Sequence, residues 1–256
     1  MTESQAKANR LRDRKGKKAI SCLTGYDYAT GRLLDEAGVD LILVGDSLGM
    51  VVLGFPDTTH VTMDHMLHHT AAVARGAKNP VIVGDLPIHS YDTPEMALAN
   101  AKLLVAAGAD AVKLEGGLKQ VEKVEAIVSA GIPVIGHMGM LPQRVLEEGG
   151  YKKKGKSDAE MEAILDGCLA LQKAGCFAIV LESVVKSSAS QITDALEIPT
   201  IGIGCGEESC DGEIAVITDI NGAYPWFVPP FATVRANVAE DTKRAAKEYI
   251  AAIKKR

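Results

Sequence analysis

One pattern recurs along this chain: a short apolar run, then a glycine, then a charged or titratable side chain. The clearest copy is LILVGDS, which ends at Gly45, Asp46 and Ser47; VIVGD ends at Asp85, and VIGH ends at His137. Continuous apolar runs that stop at a glycine are typical of strands buried on both faces, as in a parallel sheet. Because the carboxyl ends of parallel strands meet at one edge, we expect these polar side chains to form one site.

Strand-like and helix-like segments alternate from end to end. The dipeptide Ala-Gly precedes an apolar run four times, at Gly38, Gly108, Gly131 and Gly175, as a helix C-cap followed by a strand would. About eight such alternations with short connections favour a closed parallel barrel over an open doubly wound sheet. We therefore predict one α/β domain over residues 1–256, a (β/α)8 barrel of the TIM type, with a helical polar segment at 1–18. The eighth strand is expected at 214–217 and the last helix at about 233–253.

The composition excludes several classes of protein. The chain has 256 residues, of which 47% are hydrophobic, and this suits one barrel with one core. Lys and Arg number 28 against 33 Asp and Glu, so nucleic acid is not an expected partner. No apolar run approaches the ~18 residues of a membrane helix, and the N-terminus lacks the apolar stretch of a signal peptide. We expect a cytoplasmic protein that does not bind membranes.

Cysteine usage agrees with a reducing compartment. The five cysteines contain no CxxC motif, so reduced thiols are the simplest interpretation. Cys205 and Cys210 share one glycine-rich loop. They could meet as a metal or redox pair, but ordinary loop thiols are favoured.

Two charged residues lie inside one predicted strand. Lys113 and Glu115 are two positions apart in AVKLE, so both point to the same side, which is the barrel interior if Leu114 faces the helices. A buried ion pair that only holds the barrel together would explain these two residues. It would leave Asp46 and Asp85 unexplained.

The acids at the strand ends predict a metal ion. Like charges ~4 Å apart repel by about 4 kcal/mol at an effective dielectric constant of about 20, and one lysine does not neutralise Asp46, Asp85 and Glu115. An all-oxygen ligand set suits Mg²⁺ better than zinc. A 2-oxo acid could add its carboxylate and ketone oxygens, and the metal would then stabilise an enolate. Glu182, at the end of IVLE, is either a solvated strand end or a general base on apolar walls.

Seven short motifs follow one another along the chain: TGYDY at 24–28, VGDSLG at 44–49, DLP at 85–87, VKLEGG at 112–117, GHMG at 136–139, GGYK at 149–152 and IGIG at 201–204. In this order they resemble ketopantoate hydroxymethyltransferase, over roughly residues 19–232. Cys205 stands where that family usually has alanine, and the loop at 207–212 is one residue longer.

The resemblance implies a phosphoenolpyruvate mutase-like barrel, a homo-oligomer (commonly a decamer) and a step of pantothenate biosynthesis. The implied reaction joins 3-methyl-2-oxobutanoate to the one-carbon unit of 5,10-methylenetetrahydrofolate, giving 2-dehydropantoate. The folate co-substrate comes only from the resemblance. Magnesium binding is implied for Asp46, Asp85 and Glu115. Substrate binding is implied for Asp46, Ser47, Asp85, Lys113 and His137, and proton abstraction for Glu182.

Two other functions compete with this one. The first is a Mg²⁺-dependent lyase, mutase or hydrolase that acts on another 2-oxo acid on the same type of barrel. The second is a barrel that has lost catalysis and serves as a binding or scaffold protein. The intact set of acids and Glu182 argue against the second.

Overall fold

The computed structural model describes residues 1–255, in which eight parallel strands pair in chain order and close into a barrel. The strands are β1 (Ile20–Thr24), β2 (Leu41–Val44), β3 (Val81–Asp85), β4 (Ala111–Glu115), β5 (Val134–Gly139), β6 (Ala178–Glu182), β7 (Thr200–Ile203) and β8 (Gly212–Ala215). The predicted (β/α)8 barrel is therefore confirmed.

Helices separate most of the parallel strands, whereas β7 and β8 are joined by a loop. Within the described residues they are α1 (Glu3–Arg12), α2 (Tyr28–Ala37), α3 (Leu48–Val51), α4 (Met63–Gly76), α5 (Pro94–Ala106), α6 (Val121–Ser129), α7 (Asp158–Lys173), α8 (Lys186–Ala195), α9 (Ile217–Asn221) and α10 (Val238–Lys254). Side-chain caps begin several of them: Asp27 accepts a hydrogen bond from the Thr30 amide at α2, and Thr93 accepts one from Met96 at α5. Gly38 ends α2 at φ +80°, which glycine adopts without strain.

The barrel interior is apolar except at one end. Leu41 and Leu43 of β2 point inward with Val81 and Val83 of β3, while Ile42 between them faces the surrounding helices, as the strand period dictates. Ala111 of β4 belongs to the same inner cluster. Lys113 and Glu115 therefore also point into the barrel, at its carboxyl end.

Helix α1 lies against the amino end of the barrel. Its Ala8 and Leu11 belong to the inner apolar cluster. Lys7 donates a hydrogen bond to Asp110 at 2.9 Å, and Asp110 also accepts one from the backbone amide of Ile82. The polar segment predicted at 1–18 thus contains a helix that the barrel itself holds.

Two boundaries predicted near the C-terminus are wrong. The eighth strand begins at Gly212, next to Asp211, whose carbonyl accepts from the amide of Ile20 where the barrel closes. It ends at Ala215, and Ile217, which was expected in the strand, begins α9. The last helix begins at Val238, after an Asn237 cap. Before it, the backbone amides of Arg235 and Ala236 both donate to the carbonyl of Ile220. Neither contact is local in sequence.

The chain divides into two compact units, Met1–Ile214 and a second that begins at Ala215. In the second unit, Gly222 ends α9 at φ +69° and its carbonyl accepts from the Ala239 amide. None of the described residues of α10 is buried. That residues 1–256 form one domain stays a prediction. Across residues 1–255, no helix has both the length and the apolar character needed to span a membrane.

Candidate active site

The strand ends bring the predicted polar residues into one connected group. Asp46 and Ser47 follow β2, Asp85 ends β3, Glu115 ends β4, and Glu182 ends β6. The contacts run from Asp46 to Asp85, on to Lys113, Glu115, His137 and finally Glu182. The hydroxyl of Ser47 lies 2.9 Å from that of Tyr26. The predicted site residues therefore share one end of the barrel.

Lys113 is the centre of this group. Its Nζ lies 2.8 and 2.7 Å from the two carboxylate oxygens of Asp85 and 3.5 Å from Glu115 Oε1. Burial alone would lower the pKa of Lys113, but Asp85, then Glu115 and Asp46, more than offset it, so the pKa lies above its usual value. The lysine is charged and fixed between two strands.

Negative charge is in excess around that lysine. Burial, and then the neighbouring charge of Asp85, raise the pKa of Asp46 well above its usual range. Burial raises the pKa of Asp85 as well, although Lys113 opposes the shift. The pKa of Glu115 is lowered, because Lys113 and then His137 outweigh its burial. Burial and the mutual repulsion of these carboxylates therefore favour the protonated form of Asp46 when no other cation is near.

His137 joins the acid cluster to Glu182. Its Nδ1 lies 3.5 Å from Glu115 Oε1, and its Nε2 lies 3.4 Å from Glu182 Oε2. Burial lowers the pKa of His137, but Glu115 and then Glu182 outweigh it and raise the pKa to about 9. A positive charge on this imidazole favours the ionised form of Glu115.

The backbone on either side fixes the position of Glu182. The amide of Met140 donates to the Glu182 carbonyl at 2.8 Å. A side chain at Gly139, which has φ +96°, would come within 2.3 Å of that carbonyl, so only glycine fits there. Ser183 turns the chain immediately afterwards with φ +52°, a conformation that non-glycine residues adopt mainly at constrained sites. The carboxylate itself stays 17% exposed.

Two buried residues of the site were missed by sequence reasoning. Gln143 donates from Nε2 to Asp46 Oδ2 at 2.8 Å and from its backbone amide to Glu115 at 3.1 Å. Its Oε1 accepts a hydrogen bond from the hydroxyl of Tyr91. Tyr91 lies in a loop and Gln143 in a one-turn 3-10 helix (Pro142–Arg144), where no periodicity marks inward-facing positions. The nearest signal was the Leu-Pro-Gln loop before GGYK.

The residues partly fit a divalent cation. Among residues 1–255, no three His, Cys, Asp or Glu side chains converge in the manner of a metal site, and Lys113 takes both oxygens of Asp85. The donor chemistry nevertheless fits, since Asp46 and Asp85 supply hard oxygens and their charges are not balanced. Glu115 Oε1 is buried without a hydrogen-bond partner in the described part of the chain.

The barrel is similar to solved structures of one superfamily. It matches 2,3-dimethylmalate lyase, described as a PEP mutase/isocitrate lyase superfamily member, with TM-score 0.65 and 18% identity, covering 100% of this chain and 88% of that one. Phosphonopyruvate hydrolase in complex with oxalate and Mg²⁺ matches with TM-score 0.65 at 15% identity, covering 100% and 88%. At these identities the likeness shows the fold alone, a TIM barrel, and one end of this barrel is lined with acids.

Sequence comparison is more specific. The family model for ketopantoate hydroxymethyltransferase matches residues 5–256, and this chain belongs to that family. The 3-methyl-2-oxobutanoate hydroxymethyltransferase of Syntrophus aciditrophicus is 50% identical over 243 residues, which are 94% of this chain and 89% of the relative. That of Pyrobaculum aerophilum is 51% identical over 241 residues, 94% and 91%. The family inferred from the seven motifs is confirmed, and so is an enzyme of the hydroxymethyltransferase type.

Replacing Gln143 with leucine tests whether its amide organises the acids. Leucine keeps much of the volume but cannot donate to Asp46 or accept from Tyr91. We expect Gln143→Leu to lower the free energy of unfolding by about 1–3 kcal/mol, because buried polar groups lose their partners. Turnover should fall as well, because Asp46 loses a donor.

Tyr91→Phe is the milder comparison variant. It removes only the hydrogen bond to Gln143, so it should lower the free energy of unfolding by less than Gln143→Leu does. Urea unfolding and steady-state turnover of both variants provide the measurements. A Gln143→Leu protein as stable as the wild type would show that the amide is not part of the buried network.

Proposed function

We propose that this protein transfers a hydroxymethyl group from 5,10-methylenetetrahydrofolate to 3-methyl-2-oxobutanoate, giving 2-dehydropantoate for pantothenate biosynthesis. The observation that carries the proposal is the unbroken contact series from Asp46 to Glu182 in a chain of this family. It combines a fixed cation, buried carboxylates and a partly exposed carboxylate at one barrel mouth. Those are the groups needed to bind a 2-oxo acid and remove a proton beside its ketone.

Lys113 and Ser47 are proposed to hold the oxo acid. Lys113 supplies a fixed positive charge at the barrel end, which attracts the carboxylate or the ketone oxygen of the substrate. Ser47 lies at the start of α3 with its hydroxyl beside that of Tyr26, so a donor is oriented before the substrate arrives. Such pre-arranged donors act without reorganisation when negative charge develops.

Glu182 is proposed as the proton acceptor. Its exposed part lets it reach C3 of the bound oxo acid, and its fixed backbone holds the carboxylate in one place. His137 Nε2 lies 3.4 Å from Glu182 Oε2 and is proposed to orient the carboxylate for this step. The proton then rests on a Glu182 oxygen, while the carbanionic carbon forms a C–C bond to the one-carbon unit. Water supplies the hydroxyl oxygen, the bonds from the one-carbon unit to the two folate nitrogens break, and tetrahydrofolate leaves with one proton from Glu182 and one from water.

Asp46 and Asp85 are proposed to hold Mg²⁺, with Glu115 beside them. When bound, the ion would polarise the ketone and neutralise the developing enolate charge. These carboxylates also keep Lys113 charged and oriented. We further propose, by family, that the protein works in the cytoplasm as a homo-oligomer, a decamer.

A Mg²⁺-dependent lyase, mutase or hydrolase acting on another 2-oxo acid is the less favoured function. The solved barrels with such activities share 18% identity or less with this chain, a level that shows the fold alone. The relatives near 50% identity are hydroxymethyltransferases.

The direct test supplies 3-methyl-2-oxobutanoate and 5,10-methylenetetrahydrofolate with Mg²⁺ and measures 2-dehydropantoate. Product should form only with both substrates present, and removal of divalent ions with a chelator should abolish it. Oxaloacetate and phosphonopyruvate, offered without folate, probe the less favoured function. Turnover of either, together with no 2-dehydropantoate, would overturn the proposal.

The metal assignment is tested with Asp46→Asn and Asp85→Asn. Each removes a charged oxygen ligand, so Mg²⁺ affinity measured by calorimetry and turnover should fall together, by about tenfold or more for each, the size of effect seen even for outer-shell partners of metal sites. Without metal, Asp46→Asn should be at least as heat-stable as the wild type, because repulsion with Asp85 is relieved. Asp92→Asn is the control, since Asp92 is 62% exposed. If both variants bind Mg²⁺ like the wild type, the ion binds elsewhere.

The role of Glu182 is tested by proton exchange without folate. The wild type with Mg²⁺ should exchange the C3 proton of 3-methyl-2-oxobutanoate with deuterated water, followed by NMR. Glu182→Gln keeps the size of the side chain but cannot accept a proton, so exchange should slow by ~10²-fold or more. Affinity for the oxo acid should change little, since binding rests on other groups.

Glu197→Gln, at an exposed glutamate, should exchange like the wild type. Exchange by Glu182→Gln at the wild-type rate would move the base elsewhere, with His137 the next residue to test.

A further inference from the structure

Two thiols meet in the loop between β7 and β8. A methyl group placed on Gly202 would lie 3.0 Å from Cys210 Sγ and 3.6 Å from Cys205 Cβ. The two cysteines therefore flank one point, which glycine leaves open. Both are free thiols. The loop folds back through Gly204 and Gly206, which have φ of +65° and +97°.

We propose that Cys205 and Cys210 form a reversible intramolecular disulfide on exposure to hydrogen peroxide, with Cys210 as the thiol that reacts first. The proposal assigns a redox site to the loop at 207–212, which is one residue longer than is usual in the family, and to the adjacent Cys205. The sequence favoured ordinary loop thiols. Thiols of that kind would not form a specific disulfide with each other on oxidation. A metal pair is less well supported, because no third Cys, His, Asp or Glu completes a site within residues 1–255.

The surroundings of Cys210 favour its thiolate. The neighbouring side chain of Cys205, and then those of Ser209, Thr200 and Thr193, lower the pKa of Cys210 to about 6 despite burial. Ser209 Oγ is 3.7 Å from the sulfur. Cys210 is also partly exposed, whereas Cys205 is 2% exposed. An accessible thiolate with a second thiol beside it is the arrangement of redox-sensitive cysteines.

The remaining three cysteines differ from Cys210 both in exposure and in the pKa of the thiol. Cys22, Cys168 and Cys176 are buried, and burial raises the pKa of each thiol. They should react slowly with peroxide and serve as internal controls.

The chemistry balances in two steps. The Cys210 thiolate attacks one oxygen of hydrogen peroxide; an S–O bond forms, the O–O bond breaks, and hydroxide leaves, giving a sulfenic acid. Cys205 sulfur then attacks Cys210 sulfur; the S–S bond forms, the S–O bond breaks, and the leaving hydroxide takes the Cys205 proton as water. Two thiols are oxidised and one peroxide is reduced to two waters. An added dithiol reverses the change by thiol–disulfide exchange.

The disulfide would act on the neighbouring strand. The thiol of Cys205 donates to the carbonyl of Leu181 at 3.1 Å, one residue before Glu182. Oxidation removes that hydrogen and redirects the sulfur to Cys210. Glu182 pairs with Ile203 of β7, whose carbonyl accepts from the Ser183 amide at 2.8 Å. The end of β6 therefore loses one of its attachments to β7 on oxidation, a consequence for catalysis that rests on the function proposed above.

The first experiment does not depend on activity. The full-length protein is treated with a small excess of hydrogen peroxide at pH 7, unreacted thiols are alkylated under denaturing conditions, and peptides are mapped by mass spectrometry. We expect a product without crosslinks between chains that is lighter by two hydrogen atoms, with Cys205 joined to Cys210 and with Cys22, Cys168 and Cys176 alkylated. A dithiol should restore the starting mass. No disulfide, one between chains, or one joining Cys168 to Cys176 would overturn the proposal.

Single variants assign the order of reaction. Cys205→Ala, the residue usual in the family at this position, should leave a sulfenic acid on Cys210 that a dimedone probe traps. Cys210→Ser should take up neither peroxide nor probe at Cys205. Dimedone labelling of Cys205 in Cys210→Ser, at the rate of Cys210 in Cys205→Ala, would contradict the assigned order.

Proton exchange then tests the effect on Glu182. Oxidised wild type should exchange the C3 proton of 3-methyl-2-oxobutanoate about tenfold to a hundredfold more slowly, the range expected for a small displacement of a catalytic group, and should recover with dithiol. Cys205→Ala should retain exchange before and after peroxide. A mapped disulfide with undiminished exchange would overturn the link to Glu182. Absent exchange in the reduced wild type, with the disulfide formed, would count against the proposed base and leave the redox site standing.

Discussion

The site depends on one buried ammonium group, that of Lys113, which is surrounded by three carboxylate side chains. Lys113 contacts both oxygens of Asp85 and approaches Glu115, while Asp46 adds a third acid to the same end of the barrel. Removing either partner from such a group would leave an uncompensated buried charge, which costs several kcal/mol. The apolar side chains inside the barrel offer no hydrogen-bond partners to these charged groups. The charged groups are therefore confined to the end of the barrel, where loops supply polar partners.

The same imbalance explains which loop elements belong to the site. The backbone amides of Asp46 and Gln143 both donate to carboxylates, and the side-chain amide of Gln143 donates to Asp46. These neutral donors spread the negative charge without cancelling it. The cluster therefore keeps an affinity for a cation. The hydrogen bonds from Gln143 to the carboxylates also hold the segment after β5 against the end of the barrel.

Sequence predicted the charged residues better than the groups that hold them. A strand period places Lys113 and Glu115 on one inner face, and a glycine after an apolar run marks Asp46 and Asp85, so local pattern was enough. Gln143 and Tyr91 meet across two loops, a contact that no local pattern encodes. The starts of β8 and α10 failed for a similar reason, since each is set by backbone hydrogen bonds to residues distant in sequence or in another element.

Glu182 differs from the other acids in how it is held. Its carboxylate touches the cluster through His137 at 3.4 Å, while the surrounding backbone is tied on both sides, to Met140 after β5 and to Ile203 of β7. A carboxylate held by its backbone can stay partly exposed and still point in a fixed direction, as a proton acceptor must if it is to meet a substrate. The consequence is that the position of this group depends on the edges of β5 and β7. A change in the loop after β7 can therefore reach it without altering any residue that binds the substrate.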